Sequence, residues 1–302
     1  LIKKVGGGSK MDDFNDYRSK VENKLRDSLE DFGNAQQGLR RPIEYALLSG
    51  GKRVRPLLVC LFADGLQKGR EVLDTAIAVE YIHTSTLIAD DLPCMDNDDM
   101  RRGKPAVHKA FDEASALLAS YALIPAAYAR IRKNAKILKE RVSVQQEVEN
   151  AYEDILELIE QRFGVGGILG GQYEDVFFQD FTQESVLSII KKKTGALFEI
   201  ACVAGWLFGG GARESASLVS AFAEHFGILF QIRDDLADLH QDDQEEKKLN
   251  YALLFGEQAA KDLLDKAFEQ CIKNLYLLRD EGLKLWKPLE GLCQRVFYKR
   301  NK

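Results

Sequence analysis

Apolar residues recur at helical spacing along most of the chain. Val21, Leu25 and Leu29 repeat every four positions inside the charged segment Tyr17 to Phe32, which predicts an amphipathic helix. Arg41 to Ser49 predicts a short helix, ended by Gly50-Gly51. Val54 to Leu66 is strongly apolar, with Pro56 near its start, where a helix tolerates proline. Leu73 to Asp91 places apolar groups at 73, 76, 77, 81, 87 and 88, with the methyl of Thr84 between them. Ala110 to Ile131, Val142 to Phe163, Gln183 to Phe208, Glu214 to Asp238 and Glu257 to Arg279 read as further helices. No segment sustains a two-residue alternation, so strands are not expected. An all-α bundle of long helices buries such stripes most simply.

Length alone would allow one domain or two. No internal repeat stands out, and Gly209-Gly210-Gly211 after Phe208 marks a turn. Asp238 to Leu249 is a charge-rich connector. Gly6-Gly7-Gly8-Ser9 has linker composition and Met11 suits a native start, so residues 1–10 are set apart as tag or linker. A single domain is expected over 11–302.

Charge narrows the function. A net charge of -5 argues against a nucleic-acid partner, which calls for a basic face. Cys60, Cys94, Cys202, Cys271 and Cys293 show no metal-ligand spacing. An odd, scattered set fits reduced thiols in a cytoplasmic protein. The longest uncharged stretch, Ala114 to Ala129, has sixteen residues and contains Pro125, so no transmembrane segment is expected.

The candidate chemistry sits at two acidic clusters. Between Asp90 and Gly103 stand five carboxylates (Asp90, Asp91, Asp96, Asp98, Asp99) followed by Arg101 and Arg102. Clustered hard oxygen donors suit Mg²⁺, which binds through a few carboxylates plus water and substrate phosphates. The guanidinium pair suits phosphate oxygens. An acidic, solvated or calcium-binding loop is the plainer alternative. Asp90 and Asp96 would stand about 240° apart on an unbroken helix. Pro93 disfavours helix at Leu92, so the chain is expected to turn and bring Asp96 back beside Asp90. The second cluster is Asp234, Asp235 and Asp238, whose spacing places all three on one helix face. Two such clusters facing across a cavity can hold several Mg²⁺ ions.

Gly50-Gly51-Lys52-Arg53-Val54-Arg55-Pro56 is a glycine turn entering a helix with three cations. It reads as a diphosphate site or as a solvated basic turn. Lys191-Lys192-Lys193-Thr194-Gly195 is a weaker case of the same. His83 precedes Asp90 by two turns and is placed either in the same cavity or in the core. Gly170-Gly171-Gln172 suggests close helix packing beside one polar amide. No nucleophile arrangement is visible, so the chemistry points to metal-assisted departure of diphosphate without a covalent intermediate.

Together these stretches resemble the trans-isoprenyl diphosphate synthases, the farnesyl and geranylgeranyl diphosphate synthase family. The matching segments are GGKRVRP at 50–56, EYIHTSTLIADDLPCMDNDDMRRGKPAVHKAF at 80–111, GGQ at 170–172, KTG at 193–195 and FQIRDDLAD at 230–238. Weaker similarity covers KKLNYALLFG at 247–256 and the basic end at 300–302. The resemblance implies one all-α isoprenoid-synthase bundle around a central cavity, usually as a homodimer. It implies that Asp90, Asp91, Asp96, Asp234, Asp235 and Asp238 hold Mg²⁺, three ions per site, on an allylic diphosphate. Arg101, Lys193 and Lys248 would grip that diphosphate. Lys52, Arg55, His83 and Arg102 would hold isopentenyl diphosphate, and Thr194, Gln172 and Gln231 would line the reacting region.

The chain departs from the family pattern in three places. Ala89 replaces a histidine, Ser120-Tyr121 replaces Gly-Asp, and the connector after Asp238 is short. Tyr121 is expected to add bulk near the cavity wall. Product length in this family depends on side chains before the first aspartate, here Ser85 and Thr86, with Tyr81 a turn deeper. Small Ser85 predicts an open channel and a C20 product, with C15 as the alternative. A non-catalytic regulatory subunit and a terpene cyclase are the other classes; both intact clusters favour the elongating enzyme.

Overall fold

The computed structural model describes residues 10–34, 38–141, 143, 145–177, 182–239 and 249–298. Helix α1 spans Lys10–Asp27, and a short 3-10 turn, Ser28–Phe32, follows it. Next come α2 (Arg40–Leu47), α3 (Val54–Gly65) and α4 (Leu73–Asp90). Strands β1 (Met100–Arg101) and β2 (Lys104–Pro105) form a small antiparallel hairpin. The absence of alternation did not foresee it, because two residues per strand are too few to show a period. Helices α5 (Val107–Ala110), α6 (Glu113–Arg141), α7 (Gln145–Phe163), α8 (Ile168–Val176) and α9 (Gln183–Ile190) follow. A π-helical turn, Lys191–Gly195, joins α9 to α10 (Ala196–Phe208). The chain closes with α11 (Ala216–Asp238), α12 (Tyr251–Phe255), α13 (Glu257–Asp280) and α14 (Lys287–Phe297).

Helix α10 is apolar on nearly all sides and is buried as the bundle's central rod against α3, α4, α7 and α11. Phe198, Phe222, Phe226 and Phe230 meet in stacked, tilted and edge-on pairs along the α10–α11 seam. Helices α4 and α6 share the most extensive contact, lined by Ala116, Ala119, Leu123 and Ala127.

Two buried arginines are paired with carboxylates. Arg53 donates to Glu22 at 2.8 Å, to Glu80, and to the Leu47 carbonyl at 2.6 Å, tying α1, α4 and the end of α2 together. Arg130 does the same between Asp31 and Asp74, each at 2.5 Å. Removing one partner of such a pair leaves an uncompensated buried charge, which costs about 3–5 kcal/mol.

Helix α6 continues through Pro125, as its periodicity predicts, because Tyr121 and Pro125 lie on its exposed side, where water can serve the carbonyl that proline frees. One expectation changes. By length and composition, α6 and the segment Arg213–Asp238 each meet the requirement for a membrane crossing, contrary to the sequence reading. Half of the apolar window in Arg213–Asp238 is nonetheless buried in the bundle, as in a core helix.

Candidate active site

Helix α4 ends at Asp90, two residues before the Leu92-Pro93 pair. The chain then folds back, and the Asp96 amide donates to the Asp90 carbonyl at 2.9 Å. This is the turn that Pro93 predicts. Across the bundle, α11 carries Asp234. Between them lies a cavity of about 460 Å³. Asp90 and Asp234 line it together with Lys52, Arg55, His83, Thr86, Arg101, Arg102, Lys193, Thr194 and Gln231. Its apolar wall is Val54, Leu87, Ile168, Leu197 and Phe230.

The face of α4 that meets this space runs Glu80, His83, Leu87 and Asp90, a three- and four-residue rhythm. The backbone before α3 is equally specific. Gly51 has φ +127°, and a side chain there would sit 2.7 Å from the Arg102 guanidinium carbon. Glycine thus lets Arg102 donate to the Gly50 carbonyl at the cavity rim. The π-helical turn carries one extra residue and presents both Lys193 and Thr194 to the cavity. Thr194 donates to Gln231 at 2.9 Å.

Electrostatics mark the site as built for an anion and for cations together. Burial, only partly offset by Lys193, pushes the Asp90 carboxyl up to about 7, with Asp96 adding to the rise. Burial pulls Arg55 down to about 10. Arg55 stacks over Phe198, and its Nε finds no partner among the described residues. Burial and the neighbouring Arg55 hold His83 well below the usual histidine range, so it is neutral; its Nε2 lies 3.4 Å from Arg55.

Other candidates are placed differently. Asp91 accepts from Arg101 at 2.8 Å and lines a small adjoining gap between α2 and α4, not the main cavity. Arg101 also donates to Asp98 at 2.9 Å, so two carboxylates hold it. Asp235 does not share the Asp234 face. It accepts from the Tyr251 amide and from Gln231, both at 2.8 Å, and anchors the start of α12. One residue of helix is 100° of rotation, and α12 takes up that side. Asp238 is exposed at the end of α11. Among the described residues no three acidic, histidine or cysteine groups converge as a ready-made metal cluster.

Gln172 is buried, with both amide atoms unpartnered among the described residues, but it stands outside the cavity lining. Ser85 does not line the cavity; it is buried, and its carbonyl accepts from Ser120 on α6 at 2.9 Å. Tyr81 is also off the cavity, donating to the Ser28 carbonyl and to Asp31. Thr86 is the predicted length-setting residue that the cavity meets. Tyr121 is 62% exposed and turned outward, so it adds no bulk to the wall. Lys248 lies outside the described residues.

The sequence reading passed over Glu80 and Asp175. Glu80 neutralises Arg53 and lines the cavity, three residues before His83. Asp175 accepts from Lys193 at 2.5 Å and lies three residues after Gln172. The i, i+3 spacing was the available signal in both cases.

A helical bundle with cationic groups ringing a carboxylate-edged apolar cavity defines an enzyme that handles diphosphate esters of hydrocarbons. Comparison with known proteins agrees. The family model for polyprenyl synthetases matches residues 36–252. The chain is 34% identical to geranylgeranyl pyrophosphate synthase 7, chloroplastic, of Arabidopsis thaliana, over 96% of this chain and 85% of that protein. It is also 34% identical to the farnesyl diphosphate synthase of Bacillus subtilis, over 88% of this chain and 92% of that one. An FPP/GFPP synthase from Zymomonas mobilis superposes with a TM-score of 0.81 at 28% identity, covering 95% of this chain and 98% of that one. The chain belongs to the polyprenyl synthetase family, and it is a trans-prenyltransferase.

Proposed function

We propose that the protein condenses isopentenyl diphosphate with an allylic diphosphate to give a short all-trans prenyl diphosphate, geranylgeranyl (C20). The observation that carries this reading is the cavity in which Asp90 and Asp234 face Lys52, Arg55, Arg101, Arg102 and Lys193 over an apolar wall. The predominance of geranylgeranyl synthases among the relatives supports the product assignment.

Two diphosphates need two cationic rims. Lys193 and Arg101 stand on the Asp90 side, suited to the allylic diphosphate, while Lys52, Arg55 and Arg102 gather at the turn before α3, suited to isopentenyl diphosphate. The residues that would hold Mg²⁺ are Asp90 and Asp234, with Asp96 beside Asp90; Asp91 and Asp235 would first exchange their present partners. Hard carboxylate oxygens fit that ion, and Asp234 would likewise exchange its present pairing with Lys52 at 3.5 Å. When bound, Mg²⁺ supplies charge neutralisation for the departing diphosphate.

The allylic carbon–oxygen bond breaks, and the electron pair leaves with the diphosphate, which Lys193 and Arg101 stabilise. Thr194 and Gln231 offer oxygen dipoles beside the resulting cation, and Phe230, Leu197 and Leu87 exclude water from it. The isopentenyl double bond supplies the pair for the new carbon–carbon bond. One proton is then lost, and the released diphosphate, held beside the new cation, is its acceptor.

A C15 product is the second reading. Thr86 and Leu87 form the α4 wall of the cavity, and Ser85 gives it no extra depth. We further propose a cytoplasmic homodimer. Free, unpaired cysteines support the compartment, and exposed Leu117, Leu118 and Tyr121 on α6 support an apolar interface.

The test is mass spectrometry of products from purified protein with Mg²⁺, isopentenyl diphosphate and each allylic starter. C20 is the expected product. A C15 stop would replace the product assignment, and absence of elongation would reject the site assignment.

A further inference from the structure

Lys193 is held from behind by a carboxylate that belongs to neither acidic cluster. Helix α8 packs directly on the π-helical turn because Gly171 has no side chain; a Cβ there would lie 2.7 Å from both the Lys192 Cβ and the Lys193 amide nitrogen. That close approach brings the next turn of α8 beside two lysines. Glu174 pairs with Lys192, and Asp175 accepts from Lys193 at 2.5 Å. The two pairs differ in position. Lys193 lines the cavity, whereas Lys192, Glu174 and Asp175 do not. Asp175 is also the better shielded of the two acids, its side chain 16% exposed against 40% for Glu174.

Lys193 thus stands between two anions, Asp175 behind it and Asp90 in front. A flexible ammonium with only Asp90 nearby would fold onto it, capping the carboxylate that the metal–diphosphate complex requires. We propose that Asp175 is a positioning residue, which holds the Lys193 ammonium off Asp90 and aims it at the allylic diphosphate. This rests on Lys193 gripping that diphosphate, and the experiment separates the two.

Asp175→Asn keeps the size and removes the competing charge. Its KM for the allylic diphosphate should rise roughly 10- to 100-fold, the usual cost of losing a group that orients a ligand-binding residue. The change in kcat should be much smaller, and Asp175→Glu should restore most of the loss. Binding of inorganic diphosphate with Mg²⁺, followed by calorimetry, should weaken in parallel. Glu174→Gln, equal in packing but off the cavity, should change neither quantity. The pair Lys193→Ala and Asp175→Asn should be non-additive in a double-mutant cycle, since both act through one ammonium. If Lys193→Ala raises KM while Asp175→Asn leaves KM and diphosphate affinity unchanged, the positioning role is wrong and the site reading stands. Equal falls in stability and kcat for Asp175→Asn and Glu174→Gln would make the pair merely structural. If Lys193→Ala itself has no effect, the site reading and this proposal fall together.

Discussion

The guanidinium of Arg55 lies over the ring of Phe198, its central carbon 4.3 Å from the ring centroid. The face of the ring is electron-rich, so it steadies the cation without neutralising it. That leaves a buried positive charge at the cavity with its Nε unpartnered among the described residues. On the proposed function, an incoming diphosphate would satisfy it. Arg55→Gln should therefore lose a charge-assisted contact of about 1.5–3 kcal/mol, raising KM for isopentenyl diphosphate roughly 10- to 150-fold. Arg55→Lys should recover only part, since lysine lacks the planar group that stacks. Steady-state kinetics with isopentenyl diphosphate varied checks both.

Asp90 gives a pH signature. Its carboxyl is pushed up to about 7, above the unfolded value near 4. A group raised on folding contributes stability while protonated, and that contribution is lost as pH rises through about 7. Metal needs the ionised form. The Mg²⁺-induced rise in Tm should therefore be small near pH 6 and grow through about pH 8. Thermal melts with and without Mg²⁺ measure it. Asp90→Asn should flatten the profile; an unchanged profile in that variant would assign the metal response elsewhere.

Neighbouring aspartates on α11 should separate function from stability. Asp234 faces the cavity, so Asp234→Asn should lose most turnover with little change in Tm. Asp235 holds the Tyr251 amide. Asp235→Ala strands that buried donor and should destabilise the fold by about 1–3 kcal/mol, visible in urea unfolding. Equal stability loss in both variants would contradict the two placements.

Product length offers a test on α4. Thr86 meets the cavity and Ser85 does not. Thr86→Phe should shorten the product in mass spectrometry. Ser85→Tyr should overpack the contact with α6 and cost about 1–3 kcal/mol in stability. If Ser85→Tyr shortens the product at unchanged stability, the channel passes Ser85 after all.

The sequence by itself determined a good deal. Helical periodicity sufficed for the all-α bundle, since a stripe of apolar side chains has one way to leave water. The residue types of GGKRVRP, DDLPCMDNDD and RDDLAD pointed to diphosphate chemistry, because a diphosphate selects few side chains. Pro93 even forecast the turn that returns Asp96 to Asp90. What the tertiary structure alone decided is which member of each run serves the site. Asp90 and Asp91, Asp234 and Asp235, Ser85 and Thr86 are chemically near-equal pairs one residue apart. A helix turns 100° per residue, so each pair splits between the cavity and a neighbouring element. Arg101 claimed Asp91, α12 claimed Asp235 and α6 packed against Ser85. Those claims come from segments 10, 16 and 35 residues away, outside the helix concerned, and helical periodicity does not record where such segments will pack.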